Sequence, residues 1–392
     1  MPSDTGSVMV IGAGLGGLTA ALALQRQGWR VRVFEQAPAL GEVGAGISLS
    51  AGSGQGLASL GLGDALLAAS GPIPDIAFVH YRTAALLAGR FARTPPPDQG
   101  FDTSRHIHRA DLHAILAAAV RAHDPEAVVT GRRLTGLKQD SGGVTAHFAD
   151  GETARADLML GADGSRSSVR RALFDDAPPQ FAGQIAYRCL VPRAQAEPFL
   201  SDGGAVVYVG AARVFNRYLL RQGGLLNVVG IARTEAWPDE GWNIRAKVAE
   251  FAQAFEAFHP DVIGLIELAP PETLIKWGLF VRPPLERWSQ GRVLLIGDAA
   301  HPILPFLGLG AALAIEDGVM LARVLSAAAD HDVAFAAFHK ARLERVEAVR
   351  SQSILQGQII QASDPDHTHL SQSPSQRPVL FDYDPSTAPL HV

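Results

Sequence analysis

A glycine-built turn near the start constrains this chain more than any other feature. Val8-Met-Val-Ile11 is an apolar run of strand length, and Gly12-Ala-Gly14-Leu-Gly16-Gly17 follows it, opening a helical run to about Gln27. Gly28 ends that helix, and Val31-Arg-Val-Phe-Glu35 reads as a second strand ending in an acid, eighteen positions after Gly17. Each residue type has a physical reason. Gly12 permits a tight turn, Gly14 lets backbone approach a pyrophosphate, and Gly17 allows close helix–sheet packing. Glu35 then accepts from a ribose hydroxyl. A dinucleotide-binding, Rossmann-type α/β unit is the expected outcome.

Composition narrows the rest. The 392 residues suffice for two or three domains and a large core. A net charge of -5 without a basic block argues against nucleic acid as partner. A single cysteine, Cys189, excludes an intrachain disulfide and fits a reducing cytoplasm. Thirteen histidines without His-x-x-x-His spacing give no metal site. No signal peptide and no membrane span are expected.

Further along, Gly41-Glu-Val-Gly44-Ala-Gly46-Ile47-Ser48 either brings backbone close to a bound ring or is a surface loop. Ile76 to Tyr81 and Leu86 to Phe91 read as strands, with punctuation at Pro95-Pro-Pro97. His108-Arg109-Ala-Asp111-Leu-His113 opens a helix, where Arg109 either pairs with a pyrophosphate or is a solvated surface residue. Ala156 to Gly161 leads into Asp163-Gly164 and a helix capped by Ser165 or Ser167. From Gln184 to Ala232, alternating runs separated by glycines predict an antiparallel sheet. Trp237 to Trp242 reads as a loop, Ile244 to Phe258 as a helix and Leu274 to Phe280 as a strand. Val293 to Ile296 then runs into Gly297-Asp298-Ala-Ala-His301-Pro302, and helices are expected over Gly310 to Ala327 and Val333 to Gln358. An acid at a strand end, followed by a glycine-rich helix start, suits a ligand with hydroxyls and a polar ring.

The chain carries one complete dinucleotide fingerprint and two distant strand–turn–helix stations, which together suit a long ligand. These three stretches resemble the hallmark motifs of the single-component FAD-dependent aromatic hydroxylases, the salicylate hydroxylase and 6-hydroxynicotinate 3-monooxygenase type. The similarity extends to Ala312-Leu-Ala-Ile-Glu-Asp317 and Tyr383-Asp384. The resemblance implies an α/β, overall α+β, protein: a Rossmann-type FAD-binding domain in three parts (1–75, 101–183 and 281–330), an antiparallel-sheet substrate domain (76–100 and 184–280), a C-terminal helix (331–362) and a loosely ordered tail (363–392). It assigns FAD to Gly12, Gly14, Gly17, Glu35, Gln36, Ile47, Arg109, Leu134, Asp163, Gly297, Asp298, Pro305, Gly310 and Ala311. It also implies NADH or NADPH and O₂ as co-substrates, a flavin hydroperoxide as the oxygen donor, and a small aromatic substrate for a monomer or homodimer.

On the substrate side the pattern departs from the family. Some relatives hold a histidine where this chain has Ser48, and a His and Tyr pair at the slots of Arg213 and Arg217. Arg213 and Arg217 share a strand face, where they either clamp a substrate carboxylate or point to solvent from an edge strand. Tyr218, Tyr187 and Tyr208 are either proton-relay residues or ordinary sheet tyrosines. Leu309 replaces the glutamine common at its position. Flavin-dependent oxidation without oxygen insertion, and a non-catalytic flavin-binding sensor, are the rival expectations.

Overall fold

The computed structural model describes residues 6–41, 45–91, 97–174, 178–200, 204–237, 244–365 and 380–392. Residues 42–44 of the glycine-rich stretch, Pro95-Pro96, most of the expected Trp237–Trp242 loop and residues 366–379 of the tail lie outside them.

Two sheets organise the molecule. The first has six strands, in the order Ser289–Gln290, Val293–Leu295, Leu158–Gly161, Ser7–Ile11, Arg30–Phe34 and Val128–Val129. Every neighbouring pair is parallel except the Ser289–Gln290 edge. The carboxyl ends of Ser7–Ile11, Leu158–Gly161 and Val293–Leu295 lie side by side, so the three distant turns emerge together, where open α/β sheets take ligands. Helix Leu15–Arg26 packs against helix Gly310–Ala327 through small residues: a Cβ on Gly16 would lie 3.0 Å from Ala314 Cβ, and one on Gly318 2.7 Å from the Ala20 nitrogen.

The second sheet has eight strands. Its centre, Gln180–Pro192, Leu225–Arg233 and Arg213–Leu220, is antiparallel as expected. Ala205–Gly210 joins antiparallel to Arg213–Leu220 but parallel to Ala77–His80, so the sheet is mixed. One face packs on helices Val248–Ala254 and Pro260–Glu267 around Phe215, Phe251 and Phe255. The other face carries Ala186, Val229, Ile275 and Trp277 and meets Leu304, Phe306 and Ile360.

The helix expected over Ile244 to Phe258 is not continuous. Ile244–Arg245 pairs with strand Ile275–Val281, and the helix runs only from Val248 to Ala254. His259 then caps a separate helix with Pro260 in its first turn, where a missing N–H costs nothing. The Gly310–Ala327 helix has the expected bounds, and the last helix runs His331–Ile360. Among the described residues, no helix is long and apolar enough to cross a membrane.

Candidate active site

The fingerprint glycines are required for three different reasons. Gly12 has φ +104°, and a Cβ there would sit 2.5 Å from the Ala162 carbonyl. A Cβ on Gly17 would lie 2.1 Å from the carbonyl of Gly12, so these two positions close the turn. At Gly14 a Cβ would meet nothing within 4 Å. The space in front of Gly14 is open, and helix Leu15–Arg26 starts there without a side-chain cap, presenting free N–H groups to an anion. Glu35 is half-buried and accepts from Ala13 N and Ala37 N, both at 2.9 Å. His113 Nε2 donates to the Ala13 carbonyl at 2.8 Å and so braces the glycine turn. Segment 129–132 runs beside Glu35 and Ala37, leaving Gln36 exposed and Leu134 buried at the next strand.

Asp163 is turned inward. Its carboxylate accepts from Ser167 Oγ (2.5 Å), Ser168 N (2.7 Å) and Val169 N (3.2 Å), while Ser167 Oγ accepts from Arg170 N (2.9 Å). Ser167, of the two expected serines, thus caps helix Ser168–Phe174. Burial raises the Asp163 carboxyl despite these donors. The Arg170 guanidinium reaches the carbonyls of Ala299 (3.3 Å) and Ala300 (3.2 Å), tying the second station to the third.

At the third station Gly297 has φ +58° and donates its N–H to Asp317 Oδ2 at 2.8 Å. His301 Nε2 donates to the same oxygen at 2.7 Å, and Arg342 Nε to the other at 2.7 Å. Arg342 and Arg345 pair with Glu316 at 2.8 and 2.9 Å, and the Tyr383 ring lies 5.1 Å from each guanidinium. Burial alone would raise the Asp317 carboxyl, but His301 and Arg342 outweigh it and hold it below the usual range. This pinned turn presents Asp298 to open space. Surrounding protein pushes the Asp298 carboxyl up, with His301 and Arg109 opposing, so Arg109 acts in the same cleft. Turn Pro305–Leu307 ends at Gly308 (φ +69°), and helix Gly310–Ala327 starts without a side-chain cap, its Gly310 and Ala311 half-buried. Ala314 joins the two ends: its Cβ packs on Gly16, and a Cβ on Gly297 would lie 3.1 Å from it.

Strand Gly46–Leu49 faces this turn. Ile47 pairs with Ile107 and Ser48 with His106 across strand Arg105–His108. A Cβ on Gly308 would lie 3.6 Å from Ser48 Oγ. The His106 ring stacks on Tyr218, with centroids 3.9 Å apart and planes 25° off parallel. Asn227 Oδ1 accepts from Gly46 N at 2.8 Å, and Tyr218 lies so close that a Cβ on Gly46 would fall 2.7 Å from its hydroxyl oxygen. Burial lowers His106 to about 3 and raises Tyr218 to about 12, the latter against the pull of Arg188, so both are neutral at ordinary pH. His106 carried no signal in the linear sequence; only the Ser48 pairing reveals it.

Arg213 and Arg217 are not brought to this place. Arg217 pairs with Val206 and Val228, Arg213 with Ala232, and all three partners belong to the helix-covered core. Strand alternation therefore puts both arginines on the face opposite Tyr218. Their strand is also interior, which removes the edge-strand alternative. Tyr187 and Tyr208 belong to the same helix-covered core, Tyr187 donating to Glu250 Oε1 at 3.1 Å.

An open cradle before an uncapped helix, a carboxylate at the far end and a second uncapped helix start define a site for a long, anionic, ring-bearing cofactor. The comparisons agree. Residues 5–185 and 252–353 match the family described as FAD binding domain. The 6-hydroxynicotinate 3-monooxygenase of Pseudomonas fluorescens is 36% identical over 360 residues, 89% of this chain and 90% of that protein. The 3-hydroxybenzoate 6-hydroxylase of Polaromonas naphthalenivorans (strain CJ2) is 33% identical over 364 residues, 92% of this chain and 89% of that one. The crystal structure of Klebsiella pneumoniae HpxO complexed with FAD and uric acid matches with a TM-score of 0.81 at 25% identity, covering 97% of this chain and 96% of that chain. The chain belongs to this family: it is an FAD-dependent aromatic monooxygenase.

Proposed function

We propose that this monooxygenase hydroxylates an aromatic or heteroaromatic ring that already bears a hydroxyl group, consuming NADH or NADPH and O₂. The observation that carries this reading is the stacked, neutral His106–Tyr218 pair beside Ser48, on the flank of the Gly308 turn. When bound, FAD supplies the reducing equivalents and the activated oxygen, and the protein supplies orientation, dryness and proton handling. Gly12, Gly14 and Gly17 with the helix start behind them hold the pyrophosphate, and Glu35, Gln36 and Leu134 flank the adenosine end. Asp298 and Arg109 hold the middle of the cofactor, and Ile47, Pro305, Gly297, Gly310 and Ala311 border the ring. Asp163, whose carboxylate is used to cap a helix, serves by fixing the second station.

Proton handling follows from the neutral pair. The substrate hydroxyl is held by hydrogen bonds to the His106 ring and the Tyr218 oxygen, which orient it and push electron density into the ring for oxygen transfer. With the histidine held at about 3 and the tyrosine at about 12, the pair positions that proton rather than taking it. Ser48 serves as a hydrogen-bond partner, since a serine hydroxyl is a poor base. A monomer or homodimer in the cytoplasm suits the single, buried Cys189. The test is turnover of 3-hydroxybenzoate and 6-hydroxynicotinate under ¹⁸O₂, scored by NAD(P)H oxidation and product mass. Labelled product is expected. An unlabelled oxidised product, or NAD(P)H oxidation indifferent to every hydroxyaromatic tried, overturns the reading.

A further inference from the structure

Several buried arginines in this protein meet carboxylates or backbone carbonyls. Arg105 holds Asp98 through two nitrogens, at 2.5 and 2.9 Å. Arg342 and Arg345 meet Glu316 and Asp317, and Arg170 meets backbone carbonyls. Arg188 differs. Its Nε is buried without a hydrogen-bond partner, and no carboxylate among the described residues pairs with it. The guanidinium carbon lies 5.0 Å from the Trp277 ring centre, and its charge is felt at Tyr218 and at Arg109. Arg188 pairs with Val229 and Ile275, both on the sheet face opposite the helix-covered core, so it stands on the Tyr218 side. Burial, with the like charge of Arg109, lowers its pKa, partly opposed by Tyr218. A half-buried guanidinium with its Nε buried and no anion beside it is a standing cost in the ligand-free protein. Trp277 beneath it fixes the plane of the fork, leaving the N–H groups free for a planar acceptor.

We infer that Arg188 is the carboxylate anchor of the substrate site, so that the preferred substrates are hydroxylated aromatic acids held by Arg188 at the acid and by His106 and Tyr218 at the hydroxyl. This rests on the function proposed above and adds the charge class of the substrate. It also transfers to Arg188 the task that strand spacing suggested for Arg213 and Arg217.

The experiment compares 3-hydroxybenzoate with its uncharged isostere 3-hydroxybenzamide on the FAD-loaded wild type, Arg188→Gln and Arg188→Met. Dissociation constants are read from perturbation of the flavin absorbance, and melting temperatures are recorded with and without ligand. Wild type should bind the acid more tightly than the amide. Both variants should lose acid binding by ~30-fold or more while amide binding moves less than ~3-fold. Ligand-free Arg188→Met should melt at or above the wild-type temperature, because a half-buried charge with no protein anion beside it has been removed. Equal loss of acid and amide, or weakened FAD retention in both variants, would assign Arg188 to general structure or to the cofactor and overturn the inference. If wild type hydroxylates the amide as well as the acid, the proposed function stands and the anchor falls. If it hydroxylates neither and no hydroxyaromatic accelerates NAD(P)H oxidation, both fall.

Discussion

The two walls of the cleft are finished to different degrees. On the parallel-sheet side the carboxylates that shape the turns have protein partners: Glu35 takes two backbone N–H groups, Asp163 three donors, and Asp317 two side chains and the Gly297 N–H. On the mixed-sheet side, Arg188 Nε, Asn216 Oδ1 and Asn227 Nδ2 are buried without hydrogen-bond partners. A cofactor that stays bound can be met by a surface built in advance. A substrate that changes with every turnover must itself supply the missing partners, and discrimination arises because the wrong molecule leaves them unmet.

That contrast can be broken most violently at Asp317. Asp317→Ala strands His301 and Arg342 beside Glu316 and frees the Gly297 turn, so it should cost about 3–5 kcal/mol of stability and release FAD, seen by chemical denaturation and flavin retention. The same carboxylate gives a pH signature. Its folded pKa is depressed, so its stabilisation is full above the unfolded carboxyl value, near ~4, and is lost as pH falls through the folded value. An Asp317→Asn variant should therefore show a flatter acid limb in melting temperature against pH; an unchanged limb would mean the network does not carry it. Gly17→Ala should come next, about 2–3 kcal/mol, because the new methyl meets the Gly12 carbonyl at 2.1 Å. Retained flavin and unchanged melting there would show that the preformed wall yields more than the geometry allows.

Changes on the other wall should spare the fold and strike turnover. Tyr218→Phe keeps the ring on His106, so FAD binding and melting should hold while kcat falls ~10–100-fold, about 1–3 kcal/mol. Loss of flavin in that variant would erase the distinction between the walls. Ser48→Ala should be the mildest, under about 0.5 kcal/mol in stability and within ~3-fold in kcat/KM, checked by melting and steady-state kinetics.

Legibility in the sequence divides along the same line. Glycines forced into positive φ or close contact are a property of the residue type, so the Gly12–Gly17 turn could be read directly. The Gly310–Ala327 helix could be read because its small residues pack at helical spacing. Which face a strand residue takes depends on its partners, and there one position of phase sends a side chain to the other side. Spacing puts Arg213 and Arg217 on one strand face but cannot say which, and Arg188 and His106 gain meaning only from pairing across strands distant in sequence. The break after Arg245 was likewise set by pairing with Ile275, a tertiary preference overriding a helical pattern.

The segment from residue 380 onward has a consequence for how the cleft is completed. Leu380 accepts from Arg345 Nη2 at 2.8 Å, Ala388 from Arg323 Nη1 at 2.9 Å, and Tyr383 lies over the buried arginine pair beneath the flavin turn. The glycine turn at residues 12–17 and the support beneath Gly297 thus lie more than 360 residues apart in the chain, and both must be in place before the cleft is complete. FAD retention should therefore depend on this late segment, and a chain truncated before residue 380 should lose the cofactor on purification, read from the flavin absorbance.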